Sequence, residues 1–82
     1  MMTVTVRLFA RARDLARADF VSVDVSDPAT VADVRRGLVH RVPELEALLT
    51  RCAVAVNEEF AEDDLAVPPD AEIALLPPVS GG

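Results

Sequence analysis

Few residues in this 82-residue chain could do chemistry, and most of them lack partners. One histidine, His40, and one cysteine, Cys52, cannot build a zinc site of the usual ligation. His40 stands beside Arg41 at the end of an expected helix and reads as a surface residue. Cys52 lies in an apolar run, where a buried structural thiol is the ordinary reading. A cysteine nucleophile would also need a nearby base. The carboxylate runs Glu58-Glu59 and Glu62-Asp63-Asp64 fit no calcium loop and lack its central glycine, so they read as solvated loop charge. The three glycines, Gly37, Gly81 and Gly82, form no phosphate-binding loop. With no catalytic constellation inside the chain, the chemistry belongs to its terminus or to a partner.

The terminus is Pro77-Pro78-Val79-Ser80-Gly81-Gly82, directly after the apolar run Ile73-Ala74-Leu75-Leu76. Proline has no backbone N–H for a sheet ladder and fixes φ near −65°, so the pair stops a strand. Pro-Pro favours an extended segment with a solvated backbone. Gly81 and Gly82 have no Cβ and can pass where other residues would clash. Fully extended, residues 77–82 reach roughly 20 Å. The α-carboxylate at the tip is ionised at neutral pH and is a poor electrophile. The pattern describes a thin probe that presents an activated terminal carboxyl group to a narrow site on another protein.

The preceding residues must hold that probe. Thr3 to Phe9 alternates, with Val4, Val6 and Leu8 on one face, and predicts a half-buried strand. Phe9 falls on its polar face. Ala10 to Ala18 predicts a short helix. Phe20 to Val25 predicts a second strand with its valines inward, and residues 26–29 a turn. Thr30 and Asp33 have capping-box spacing at the start of a helix whose stripe is Val31, Val34 and Leu38. Gly37 weakens that helix, and Pro43 ends it. Residues 44–49 predict a second short helix and Arg51 to Val56 a third strand. Asn57-Glu58 supplies a turn into a very short strand, Glu59 to Ala61. Residues 62–71 read as a polar loop, and Glu72 to Leu76 as the last strand, with Leu76 outward. The result is an α+β domain over residues 1–76, one mixed sheet packed on a main helix, followed by a tail at residues 77–82.

Composition narrows the class. The chain is 51% hydrophobic, which argues against disorder. A single cysteine excludes an internal disulfide framework. No apolar run approaches the ~20 residues of a membrane span, and Met1-Met2-Thr3-Val4 shows no signal-peptide pattern, so a cytoplasmic location is expected. The net charge of −6 argues against nucleic acid and anionic membrane as partners. All eight basic residues are arginine, so no side chain here can accept an isopeptide bond.

Several stretches resemble the β-grasp, ubiquitin-like sulfur carriers, and among them the small subunits of molybdopterin synthase. They are residues 6–10 with Arg13-Asp14-Leu15, Thr30-Val31 with Leu38, Ala55-Val56-Asn57, residues 70–74, and the ending Leu-Leu-Pro-Pro-Val-Ser-Gly-Gly. Ala71 departs from the glycine usual in that family's turn. The resemblance implies that an ATP-using, ubiquitin-activating-type adenylyltransferase adenylates the Gly82 carboxylate. Sulfur then replaces AMP to give a thiocarboxylate. Residues Pro77 to Gly81 insert into a large synthase subunit, within a heterotetramer. That subunit supplies the catalytic residues and passes sulfur to cyclic pyranopterin monophosphate. The chain itself is expected to hold no metal and no stable cofactor. Phe9 and Leu76 are expected to flank the tail's exit as a partner-binding patch, with Phe60 and Arg13 at family contact positions. A carrier for thiamine or another thiolation pathway would share the fold and the Gly-Gly end. So would a ubiquitin-like modifier or interaction module.

Overall fold

The computed structural model describes residues 1–77. Strand β1 (Met2–Leu8) pairs antiparallel with β2 (Phe20–Val25), from Met2 opposite Val25 to Arg7 opposite Phe20. Helix α1 (Ala10–Ala16) joins them. A short strand β3 (Ala29–Thr30) leads into the main helix α2 (Val31–Arg41). Residues Pro43–Leu45 form a 3-10 turn, with Pro43 at its start, and Glu46–Leu49 a single turn of helix, α3. Strands β4 (Ala53–Val56) and β5 (Glu59–Ala61) form a hairpin, then come β6 (Ala66–Val67) and β7 (Ile73–Leu76). The main sheet is five-stranded in the order β2-β1-β7-β4-β5, and only β1 and β7 run parallel.

The alternation dictates the layers. Val4, Val6 and Leu8 of β1, Val21, Val23 and Val25 of β2, and Ile73 and Leu75 of β7 are buried on one face. Val31, Val34 and Leu38 of α2 are buried in the same core. The helix begins at a capping box. The Asp33 N–H donates to Thr30 Oγ1 (3.4 Å), and the Thr30 N–H donates to Asp33 Oδ2 (2.8 Å). That backbone bond holds the Asp33 carboxyl below its ordinary range, helped by the Thr30 hydroxyl and Arg36 and opposed by partial desolvation.

Three expectations need correction. Residues 26–29 are not only a turn, and residues 62–71 are not only a loop. Ala29–Thr30 pairs antiparallel with Ala66–Val67 as a separate two-stranded sheet, burying Ala29 and Val67. The loop before it has a structural task, since the N–H groups of Val31 and Ala32 donate to the carbonyls of Leu65 (3.0 Å) and Asp63 (2.9 Å). These are first-turn donors that the helix itself cannot satisfy. Phe9 is not the last residue of β1 but the residue before α1, with extended backbone. The polar-face position that its spacing predicted therefore does not apply.

Candidate functional site

The site is built where β7 ends. This strand is third of five, hydrogen-bonded to β1 on one side and β4 on the other. Its start is pinned by Asn57: the Asn57 N–H donates to the Glu72 carbonyl (2.8 Å), and the Glu72 N–H donates to Asn57 Oδ1 (2.9 Å). Asn57 and Glu58 both have positive φ, 51° and 70°, the geometry of a tight two-residue hairpin turn. Pro77 is exposed and follows directly. Pro78, Val79, Ser80, Gly81 and Gly82, expected to insert into a partner and carry the reactive carboxyl, lie outside the described residues.

Around Pro77 is a cavity of about 290 Å³ lined by Phe9, Arg11, Leu48, Arg51 and Cys52 among others. Phe9 and Leu76 are both half-buried beside the exit. Cys52 is buried, and desolvation pushes its thiol up while the Arg35 charge opposes this. A buried thiol held protonated is a poor nucleophile. Arg13 lies elsewhere, exposed on α1, with Asp19 at 3.8 Å.

The outer face of the sheet is the second part of the site. The registers place Phe20, Arg7, Ala74, Ala55 and Phe60 in one row across the strands. Phe60 is 79% exposed at one end and Phe20 is 55% exposed at the other. Arg7 lies between aromatic rings, its guanidinium carbon 5.2 Å from the Phe9 centroid and 5.7 Å from that of Phe20. Contacts of this kind contribute about 0.5–1 kcal/mol at exposed sites. They also orient the cation over a groove of about 510 Å³ whose apolar floor includes Ala55 and Ala74. Phe60 thus belongs to this face, Phe9 borders both cavities, and Leu76 precedes the exit. Arg7 and Phe20 were missed in the sequence. The signal for Phe20 was present, because it alternates with Ser22 and Asp24 on a solvent face, the same anomaly that drew attention to Phe9.

A further residue braces the segment that carries Cys52. Arg35 of α2 donates through Nη1 to the Leu49 carbonyl (2.6 Å), through Nη2 to the Cys52 carbonyl (2.9 Å), and through Nε to Asp63 (2.8 Å). It ties the end of α3, the start of β4 and the loop that caps α2 to one guanidinium. Spacing along the chain carries no trace of this clamp.

A mixed sheet with a central parallel pair, one main helix across it and a tail issuing from the middle strand defines a β-grasp domain of the ubiquitin-like kind. The chain belongs to the ThiS family, whose model matches residues 6–82. It is 34% identical over 79 residues to the molybdopterin synthase sulfur carrier subunit of Arabidopsis thaliana, covering 96% of this chain and 82% of that one. It is 38% identical over 84 residues to small archaeal modifier protein 1 of Haloferax volcanii, covering 93% and 97%. The crystal structure of SAMP1 from Haloferax volcanii superposes with a TM-score of 0.85 at 36% identity, covering 98% of this chain and 99% of that one.

Proposed function

We propose that this chain is the sulfur carrier subunit of a molybdopterin synthase and works in the cytoplasm. The observation behind this reading is the coincidence of two features. Similarity to sulfur carrier subunits extends over 96% of the chain, and the sequence runs on from the central strand of the sheet to Gly81-Gly82. In this reading the Gly82 carboxylate attacks the α-phosphorus of ATP on an adenylating enzyme, and pyrophosphate leaves. The acyl-adenylate is then attacked at carbon by a sulfide-level nucleophile, AMP leaves, and a thiocarboxylate remains. The tail next enters a large synthase subunit, which transfers the sulfur to its pterin substrate. Phe9, Leu76 and Phe60 contribute the apolar contact that seats the carrier, and Arg13 pairs with a partner carboxylate. The chain binds no cofactor of its own.

The test is intact mass after incubation with the adenylating enzyme, ATP and a sulfur source. Replacement of one carboxyl oxygen by sulfur, located to Gly82 by fragmentation, is the expected result. Fragmentation is required because oxidation of Met1 or Met2 adds nearly the same mass. An unmodified Gly82 with a demonstrably active enzyme overturns the reading.

The Haloferax relative's name favours a second reading, a protein modifier whose Gly82 is joined to lysines of other proteins. Lysine adducts ending in this tail, with no thiocarboxylate, would establish it. Chains of this protein through its own side chains are excluded, since it has no lysine.

A further inference from the structure

Arg11, from α1, and Arg51, from the residues before β4, both line the cavity at Pro77. Both are exposed, and neither guanidinium has an ion-pair or hydrogen-bond partner among the described residues. The chain has 14 acidic residues, yet none is among the described residues lining this cavity. The groove on the sheet's outer face, by contrast, includes Glu58 and Glu72, and that beside α2 includes Glu46 and Asp63. Arg35 is engaged by Asp63 and two carbonyls, Arg36 by Asp33, Arg13 by Asp19 and Arg7 by aromatic rings, while Arg17 lines a surface groove that also holds Asp14 and Asp19. A chain of net charge −6 therefore leaves its tail through a cationic opening.

We infer that Arg11 and Arg51 form a basic collar that pairs with carboxylates at the mouth of the partner's tail channel. The inference rests on the reading that residues 78–82 enter such a channel. Distance decides what the collar touches. The five residues beyond Pro77 span at most about 17 Å, so with the tail extended the collar stands far behind the reacting carboxyl. It meets the rim of the channel, not the nucleotide at its end. Arginine's planar fork suits bidentate capture of carboxylate, and two such contacts from different elements beside Pro77 fix the orientation of the tail root. An acidic rim also draws this end of the carrier forward, although the chain as a whole is anionic.

The experiment measures the association rate of the full chain with the adenylating enzyme of the same organism, without nucleotide, by stopped flow. Arg51→Glu and Arg11→Glu are each compared with Arg41→Glu, which changes net charge equally at an exposed residue that does not line the cavity. Circular dichroism confirms folding of each variant. Either collar reversal should slow association about tenfold, against less than about twofold for Arg41→Glu. The wild-type rate should fall as salt rises from about 0.01 M to about 0.15 M, which shortens the Debye length from about 30 Å to about 8 Å. Equal rates for all three variants, or a rate indifferent to salt, overturn the collar. An effect seen only when ATP is present overturns it too, because the contact would then be to phosphate. The tail reading fails separately: wild-type protein that associates but supports no ATP–pyrophosphate exchange has a collar without a delivered tail.

Discussion

Gly37 stands in the middle of α2, where glycine costs about 0.5–1 kcal/mol relative to alanine. Replacing it with alanine ought to stabilise the helix by that amount, yet the packing reverses the sign. A Cβ at residue 37 would lie 2.2 Å from Val23 Cγ1, where carbon atoms rest at about 3.5–4.0 Å. More than 1 Å must be opened. Val23 is buried, stiff at χ1 because it is β-branched, and paired with Val4 in the sheet, so it cannot turn aside cheaply. Overpacking of this kind costs about 1–3 kcal/mol, leaving a net loss of up to about 2.5 kcal/mol for Gly37→Ala. In a domain of this size each kcal/mol lowers Tm by about 4–8 °C. The assay is a thermal double-mutant cycle with Val23→Ala. That change removes the one clashing atom, and the next contacts, Val23 Cβ and Val25 Cγ1 at 3.7 Å, are ordinary. In the Val23→Ala background Gly37→Ala should therefore raise Tm. The same effect in both backgrounds, or a raised Tm in the wild type, refutes the claim that helix–sheet proximity selects glycine here.

Three other outcomes follow from the geometry. Arg35→Met takes the guanidinium donor from the Cys52 carbonyl and leaves the Leu49 carbonyl with only the Cys52 N–H (3.3 Å), and should cost roughly 1–3 kcal/mol in urea unfolding. Arg35→Lys should recover little, because an ammonium group cannot reach acceptors spread around a planar fork. Because the Asp33 carboxyl titrates lower when folded than when unfolded, it adds stability above its ordinary value of 3.8, which is lost as pH falls through the folded value. The acid limb of a urea-midpoint profile should thus be shallower for Asp33→Asn than for wild type, and an unchanged limb counts against the capping-box bond. Phe60→Ala, at an exposed position, should change stability by less than about 0.5 kcal/mol but weaken partner binding by more than about 1 kcal/mol in calorimetry, and unchanged affinity removes Phe60 from the interface.

The parts of the fold legible in the sequence are those set by local periodicity and local hydrogen bonds. Alternating valines in residues 4–8 and 21–25 specify both the strands and their buried face, because a one-residue slip would expose every valine. Thr30 and Asp33 mark the start of α2 by a bond within one turn. The β3–β6 pair was not legible, since two residues cannot show a period. Nor was Arg35, whose acceptors lie 14, 17 and 28 residues away and meet only in the folded chain. The left-handed backbone at Ala10, Arg17 and Glu58 carries no glycine or asparagine to announce it. Of the candidate site, the Pro-Pro-Val-Ser-Gly-Gly ending could be read directly. The row from Phe20 to Phe60 could not, because strand order decides it and β7, last in sequence, is inserted between β1 and β4.

That insertion is also what makes the tail usable. Had β7 been an edge strand, its last residue would be held from one side and free to fray. In the centre, Ile73, Ala74 and Leu75 face Val6, Arg7 and Leu8, while Leu76 faces Ala53 and Ile73 faces Val56. Ile73 and Leu75 are buried beneath the sheet, and Asn57 anchors the residue before the strand. The strand is fixed on both edges, on its inner face and at its start, so Pro77 leaves the domain at a defined place and direction. Pro77 has no N–H with which to extend the ladder, so the pairing ends there. Residues proposed to meet a partner line the tail-root cavity and the outer groove. Phe9 borders both the tail-root cavity and the outer groove, Arg7 is held between Phe9 and Phe20, and Arg11 and Arg51 stand around the exit. In the reading proposed above, a partner that grips the apolar face and the two arginines receives the tail root already placed. In the proposed reading, the search left to the partner's channel is limited to the residues beyond Pro77, and such placement is what the carrier brings to a reaction at its terminal carboxyl.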